Sequence, residues 1–148
     1  MVSDESGLVA GPYVLNSHYQ RFNRLFHAAN KKPPSTFPRI TTVRSVSLST
    51  RPTKTTVGLT KYSRVRFFLV LSRPRQTITF YSSLFNALSD LAATGVIAHE
   101  LAHAWLNEHS HPEESRKRER DADDLARMWG FGPELDALDR EAETVHSG

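Results

Sequence analysis

The chain has no cysteine, which excludes a disulfide framework and any thiolate metal site. A metal ion, if one is held, must be held by histidine, aspartate or glutamate. Long apolar runs are missing too. The longest, "FFLVL" at 67–71, falls far short of the roughly 20 residues that cross a bilayer. The opening "MVSDESGLVAGPYVL" has neither a basic leader nor a sustained apolar stretch, so no membrane span is expected and a soluble, intracellular protein is. Acidic residues are almost absent from one half. Residues 1–80 hold 13 Lys and Arg against Asp4 and Glu5 alone, a charge of +11, while residues 81–148 carry −8. A basic half invites a polyanion. Its cations are dispersed through strand-like sequence with no aromatic-rich recognition motif, however, so mutual neutralisation of the halves is favoured over a nucleic-acid partner. What is present is 148 residues of 39% hydrophobic content with no internal repeat, enough for a core and one domain over 1–148.

Apolar periodicity orders the elements. In "SHYQRFNRLFHAAN" (17–30), Tyr19, Phe22, Leu25, Phe26 and Ala29 recur at three- and four-residue steps behind Ser17 as a cap, which predicts an amphipathic helix. The segments "ITTVRSVSLS", "TTVGLTKY", "RVRFFLVL" and "QTITFYS" are rich in β-branched and aromatic residues, which predicts three or four strands in one sheet. A short helix "SLFNALS" follows, then the longest helical pattern, "DLAATGVIAHELAHAWLNEH", with Gly95 as its weak point. A further helix begins after Pro112 and stops near Gly130 and Gly132, and "PELDALDREAETV" reads as a short acidic helix. The chain thus divides into an N-terminal helix and basic sheet over 12–81, a histidine-bearing helix over 90–108, a helix over 113–130 and an acidic segment over 133–148.

Four of the seven histidines fall between 96 and 111, in "VIAHELAHAWLNEHSH". Within it, His99, Glu100 and His103 form H-E-x-x-H. On a helix, residues i and i+4 are separated by about one turn and a rise of roughly 6 Å, so both imidazoles project from one face and can bind one zinc ion. Glu100 is then placed to act as general base toward an attacking water. Two histidines alone would be ordinary polar residues, but a glutamate inside the apolar "VIAHELAHAWL" is expensive to bury unpaired. A metal site accounts for all three.

Such a site needs a third protein ligand. His109, six residues after His103, occupies the position of the last histidine in the metzincin pattern H-E-x-x-H-x-x-G-x-x-H, but the turning glycine is Leu106 here. A continued helix carries His109 roughly 240° around from His103, so His109 and His111 are expected to be solvated near the helix end, where a cation is favourable. The other candidate is "ERDAD" (119–123). Glu119, Ala122, Asp123, Ala126 and Trp129 or Gly130 share one stripe, with Lys117, Arg120, Asp124 and Arg127 opposite on the solvent side. Glu119 is the candidate ligand, and Asp123 can accept the free ring N–H of a ligating histidine; Asp121 is the competing choice.

"HELAH" followed by "ERDADDLA" resembles the gluzincin metallopeptidases, whose H-E-x-x-H is followed on a second helix by E-x-x-x-D. "TITFYSSLFNALSDLAATGVIAHELAHAW" looks like the strand, helix and active-site helix of small gluzincins and of the soluble core of CaaX-protease-type peptidases. The resemblance covers about residues 76–130. It implies an α+β, zincin-like fold with a small twisted sheet packed on two ligand-bearing helices, and an edge strand that pairs with polypeptide substrate. It assigns His99, His103 and Glu119 to one Zn2+, Glu100 to base catalysis and Asp123 to supporting the ligands. No position matches an oxyanion-stabilising residue; Tyr13, His18 and His146 lack supporting spacing. SprT-like proteases, which act on DNA-bound proteins, also share HExxH, but their distant third histidine would have to be His146. The small gluzincins further suggest that the acidic C-terminal segment folds over the cleft. The competing class is a non-catalytic, metal-stabilised binding or regulatory module.

Overall fold

In a computed structural model, residues 7–9, 20–41, 43–49, 58–64, 74–109 and 115–147 are described. Helix α1 (Gln20–Lys31) buries Phe22, Leu25, Phe26 and Ala29, the stripe its spacing predicts; Ser17 and Tyr19 lie outside the described residues. Phe22 meets Phe80 and Phe85 with ring centroids 5.2 and 5.5 Å apart. Near the end of α1 the buried Asn30 does the work of a strand partner. Its side-chain oxygen accepts the Val9 N–H at 2.7 Å, and its carbonyl accepts the Leu8 N–H at 2.7 Å. Val9 in turn bridges Ile40, so backbone groups that would cost energy if buried unpaired are satisfied.

Among the described residues three strands follow: β1 (Val43–Ser49), β2 (Gly58–Arg64) and β3 (Pro74–Tyr81). Their order is β1-β3-β2, with β3 inserted between the other two, parallel to β1 and antiparallel to β2. Val46 pairs with Ile78 and Leu48 with Phe80. All four are buried, as the two-residue period of a strand requires when one face covers a core. The strand-like "RVRFFLVL", apart from Arg64, lies outside the described residues.

A short helix α2 (Ser82–Phe85) leads into α3 (Asp90–His109). Ser89 caps α3, its hydroxyl accepting the Ala92 N–H at 3.2 Å, and Asp90 in the first turn suits the positive end of the helix dipole. Helix α3 is apolar around most of its circumference because it packs against α1, β2, β3 and two later helices, the condition under which such a helix is stable. Those are α4 (Ser115–Met128) and α5 (Gly132–Ser147). Gly130, at φ +100°, ends α4: its N–H reaches the Arg127 carbonyl at 3.0 Å, and the Phe131 N–H reaches that of Ala126 at 3.1 Å. This pair of bonds is a Schellman cap.

Gly95 is not a weak point of α3. A Cβ there would lie 2.6 Å from the Glu134 carbonyl oxygen, so the missing side chain is what lets α5 approach. The fold is α+β, and among the described residues no helix is long and apolar enough to cross a membrane.

Candidate metal centre

The middle turns of α3 carry His99 and His103 on one face, their side chains 20% and 16% exposed on a helix otherwise mostly buried. The ring centroids lie 4.6 Å apart at an interplanar angle of 84°, and the two Nε2 atoms stand 3.1 Å apart. The i,i+4 spacing accounts for the pairing.

Helix α4 supplies the third donor. Ala122 and Ala126 are fully buried and Trp129 nearly so, and small residues on that stripe let α4 lie close to α3. One turn earlier, Glu119 extends its carboxylate across the gap: Oε2 is 3.3 Å from His99 Nε2 and in close contact with His103 Nε2. His99, His103 and Glu119 each offer one ligand atom, and all three lie within 4.8 Å of one another. Donors at roughly 2.0–2.1 Å from a tetrahedral ion stand about 3.3 Å from each other; the His99–His103 and His99–Glu119 separations of 3.1 and 3.3 Å match that spacing, while His103 and Glu119 stand closer and would have to move apart to admit an ion. These three residues could hold a metal ion.

The electrostatics point the same way. Hydrogen bonds from His103 and then His99 hold the Glu119 carboxyl far below the usual range, outweighing its partial burial. Burial by itself would lower His99; the Glu119 hydrogen bond and the charges of Glu100, Glu119 and Asp123 together outweigh it and raise the imidazole. The same field that draws a proton onto His99 would draw a cation into its place.

Glu100 is outside the three-donor group. It is 7% exposed, a buried carboxylate beside His99. Asp123 does come to the back of His99, but its Oδ1 is 3.9 Å from Nδ1, beyond hydrogen-bond range. Its other oxygen, Oδ2, accepts from Arg127 Nε at 3.2 Å. Arg127 keeps the partly exposed position expected of it, at 36%, but its guanidinium is engaged. Arg127 also pairs with Asp136 at 3.0 Å and Asp139 at 3.9 Å on α5, because α5 packs beside α4 and brings two acids to it. Arg120 and Asp124 are exposed as expected, and Asp121 is half-buried and outside the donor group.

His109 also stays outside that group, but it is not free in solvent. Its Nε2–H donates to the Arg39 carbonyl at 3.1 Å and lies 3.0 Å from Glu108, with the ring 4.7 Å from that of Trp105. Leu106 is partly buried against the core. Tyr13, His18, His111 and the His146 side chain lie outside the described residues.

Against family models, curated proteins and solved structures, nothing matches this chain. The centre is read from its own donors.

The acidic C-terminal segment is α5, and Glu134, Asp136, Asp139 and Glu141 on it are engaged in bracing. Glu141 accepts both the N–H and the O–H of Ser89, at 2.8 and 2.6 Å, and Glu134 pairs with Lys32 at 3.4 Å. Arg127 and Glu108 are the residues that sequence reasoning missed. The i,i+4 spacing of Asp123 and Arg127 was a signal for the first. No local signal marks Glu108, whose partner Thr41 is 67 residues away.

Proposed function

We propose that this protein is a zinc-dependent endopeptidase of gluzincin type with a zincin-like fold. The observation that carries the reading is the convergence of His99 and His103 from one helix with Glu119 from the next. His99, His103 and Glu119 would hold the ion through two imidazole nitrogens and one carboxylate oxygen, a donor set suited to zinc. Zinc bound there would supply Lewis acidity for a peptide carbonyl and for the attacking water.

The rest falls to the chain. Glu100, buried next to His99, takes the proton from the attacking water and returns it to the leaving amine. Its burial beside the imidazole pair keeps that carboxylate out of bulk water, where it would be screened. Asp123 and the charge of Glu119 favour the orientation in which His99 turns Nε2 to the ion.

A non-catalytic, metal-stabilised module would use the same three ligands. The catalytic reading is preferred because the three donors meet at a partly exposed face, where the water and substrate that a catalytic zinc site needs could approach. The test is Glu100→Gln. Zinc content should stay at one ion per chain while cleavage of a broad peptide library falls by about 10²–10⁴-fold. A wild-type protein that binds zinc but cleaves no peptide would reject the enzyme and leave the module.

A further inference from the structure

The guanidinium of Arg127 stands between the proposed metal centre and the C-terminal helix. Nε is bound to Asp123 Oδ2 at 3.2 Å, Nη1 to Asp136 Oδ1 at 3.0 Å, and Nη2 lies 3.9 Å from Asp139 Oδ2. The two oxygens of Asp123 are thereby divided: Oδ2 is taken by Arg127, and Oδ1 is the one facing His99 Nδ1. A carboxylate held by one oxygen cannot rotate freely, so the position of Oδ1 behind the imidazole is set by Arg127. Arg127 is set in turn by two acids of α5.

We propose that Arg127 is a positioning residue for the metal centre, acting only through Asp123, and that it makes metal affinity depend on the docking of α5. The inference rests on the reading of His99, His103 and Glu119 as metal ligands. The chain of contacts runs from Asp136 and Asp139 on α5, through Arg127 and Asp123 on α4, to His99 on α3. A planar fork suits the task because it binds several carboxylates at fixed angles, which a lysine ammonium does not.

Charge and positioning predict opposite signs. A guanidinium that were merely a nearby positive charge would repel a cation, so its removal would tighten binding. One that fixes Asp123 would weaken binding on removal, because Asp123 holds a negative charge 3.9 Å behind the His99 ring, which favours a cation at the other ring nitrogen. The experiment uses the full chain, zinc alone, and competition with a chromophoric chelator at fixed pH and salt, with the melting temperature of each metal-free variant recorded in parallel.

Arg127→Gln should weaken zinc binding about 2–5-fold and Asp123→Asn about 3–10-fold, the scale of a partly exposed charge close to the site. The double variant should be no weaker than Asp123→Asn alone, since the arginine acts through that residue. Arg127→Lys, which keeps the charge, should lose affinity as Arg127→Gln does. A simple brace between α4 and α5 would lower the melting temperature and leave zinc affinity unmoved. Should Arg127→Gln not fold, Asp136→Asn with Asp139→Asn keeps the arginine and is expected to weaken zinc about 2–3-fold. Unchanged or tighter binding in the variants, or additive losses in the double variant, overturns the proposal while the metal centre stands. A wild-type chain that binds no zinc overturns both.

Discussion

The middle of helix α3 and its two ends use the same residue types for opposite purposes. At the ends, each acid or histidine is spent on holding chain to chain. Glu108 accepts the N–H and O–H of Thr41 at 2.8 and 3.2 Å, and His109 binds the Arg39 carbonyl. At the other end Asp90 binds Arg21 and Glu141 binds Ser89. In the middle, His99, His103 and Glu119 direct their donor atoms at one another, a group that could hold a metal ion. A histidine beside a glutamate occurs in both places. Convergence of a third donor, and not composition, separates the candidate metal centre from a brace.

The largest expected effect breaks that contrast directly. Glu119→Gln removes the charged donor from the middle and should reduce zinc affinity by at least about 10²-fold, together with any peptidase activity. His109→Ala takes a histidine from the end and should leave zinc stoichiometry and affinity unchanged. Metal analysis after dialysis against a weak chelator reads both. Zinc lost from His109→Ala and kept by Glu119→Gln would reverse the roles of the two regions.

Gly95 sharpens the comparison next, because it lies in the middle but serves packing. In an ordinary helix interior, replacing glycine by alanine stabilises by about 1 kcal/mol. Here the new Cβ would meet the Glu134 carbonyl at 2.6 Å, and backbone cannot swing away as a side chain can. Gly95→Ala should therefore destabilise the protein by about 1–3 kcal/mol, measured by denaturant unfolding. A gain in stability would show that α5 does not press on α3 at this point.

These cases also mark what the sequence makes legible. The span of α3 follows from its apolar pattern, and Glu119 is found because a 3.6-residue period puts it on the stripe of Ala122 and Ala126. Both are local. Gly95 reads locally as a defect, since its reason sits on α5. Arg127 reads locally as a surface residue, since two of its three partners, Asp136 and Asp139, arrive with the same helix. The order β1-β3-β2 is hidden for a similar cause. Alternation shows which face of β3 is buried, at Ile78 and Phe80, but not that β3 enters between two earlier strands.

At the C-terminal end of α3, the prediction is smaller. Glu108→Gln exchanges a charged acceptor for a neutral one at the Thr41 N–H and should cost about 1–2 kcal/mol, with zinc affinity unchanged. A matching loss of zinc would join this end to the metal centre and remove the distinction between them.

The smallest effect is at the N-terminal end and depends on pH. Hydrogen bonds from Arg21 and Arg24 hold the Asp90 carboxyl below its ordinary range, and the Ser89 hydroxyl and N–H do the same for Glu141. Since both folded values are depressed, the stability they contribute is complete above the unfolded values, about 3.9 for Asp and 4.3 for Glu. It is lost as pH falls through the folded ones. The combined Asp90→Asn and Glu141→Gln variant of the metal-free protein should be less stable than wild type near neutral pH, and the gap should close below about pH 4. Chemical unfolding followed by circular dichroism at a series of pH values reads the gap, and a gap independent of pH would remove both carboxylates from the set of braces. Glu119 also titrates in acid, but it is present in both proteins and its contribution cancels from the difference, so the experiment isolates the end of the helix from its middle.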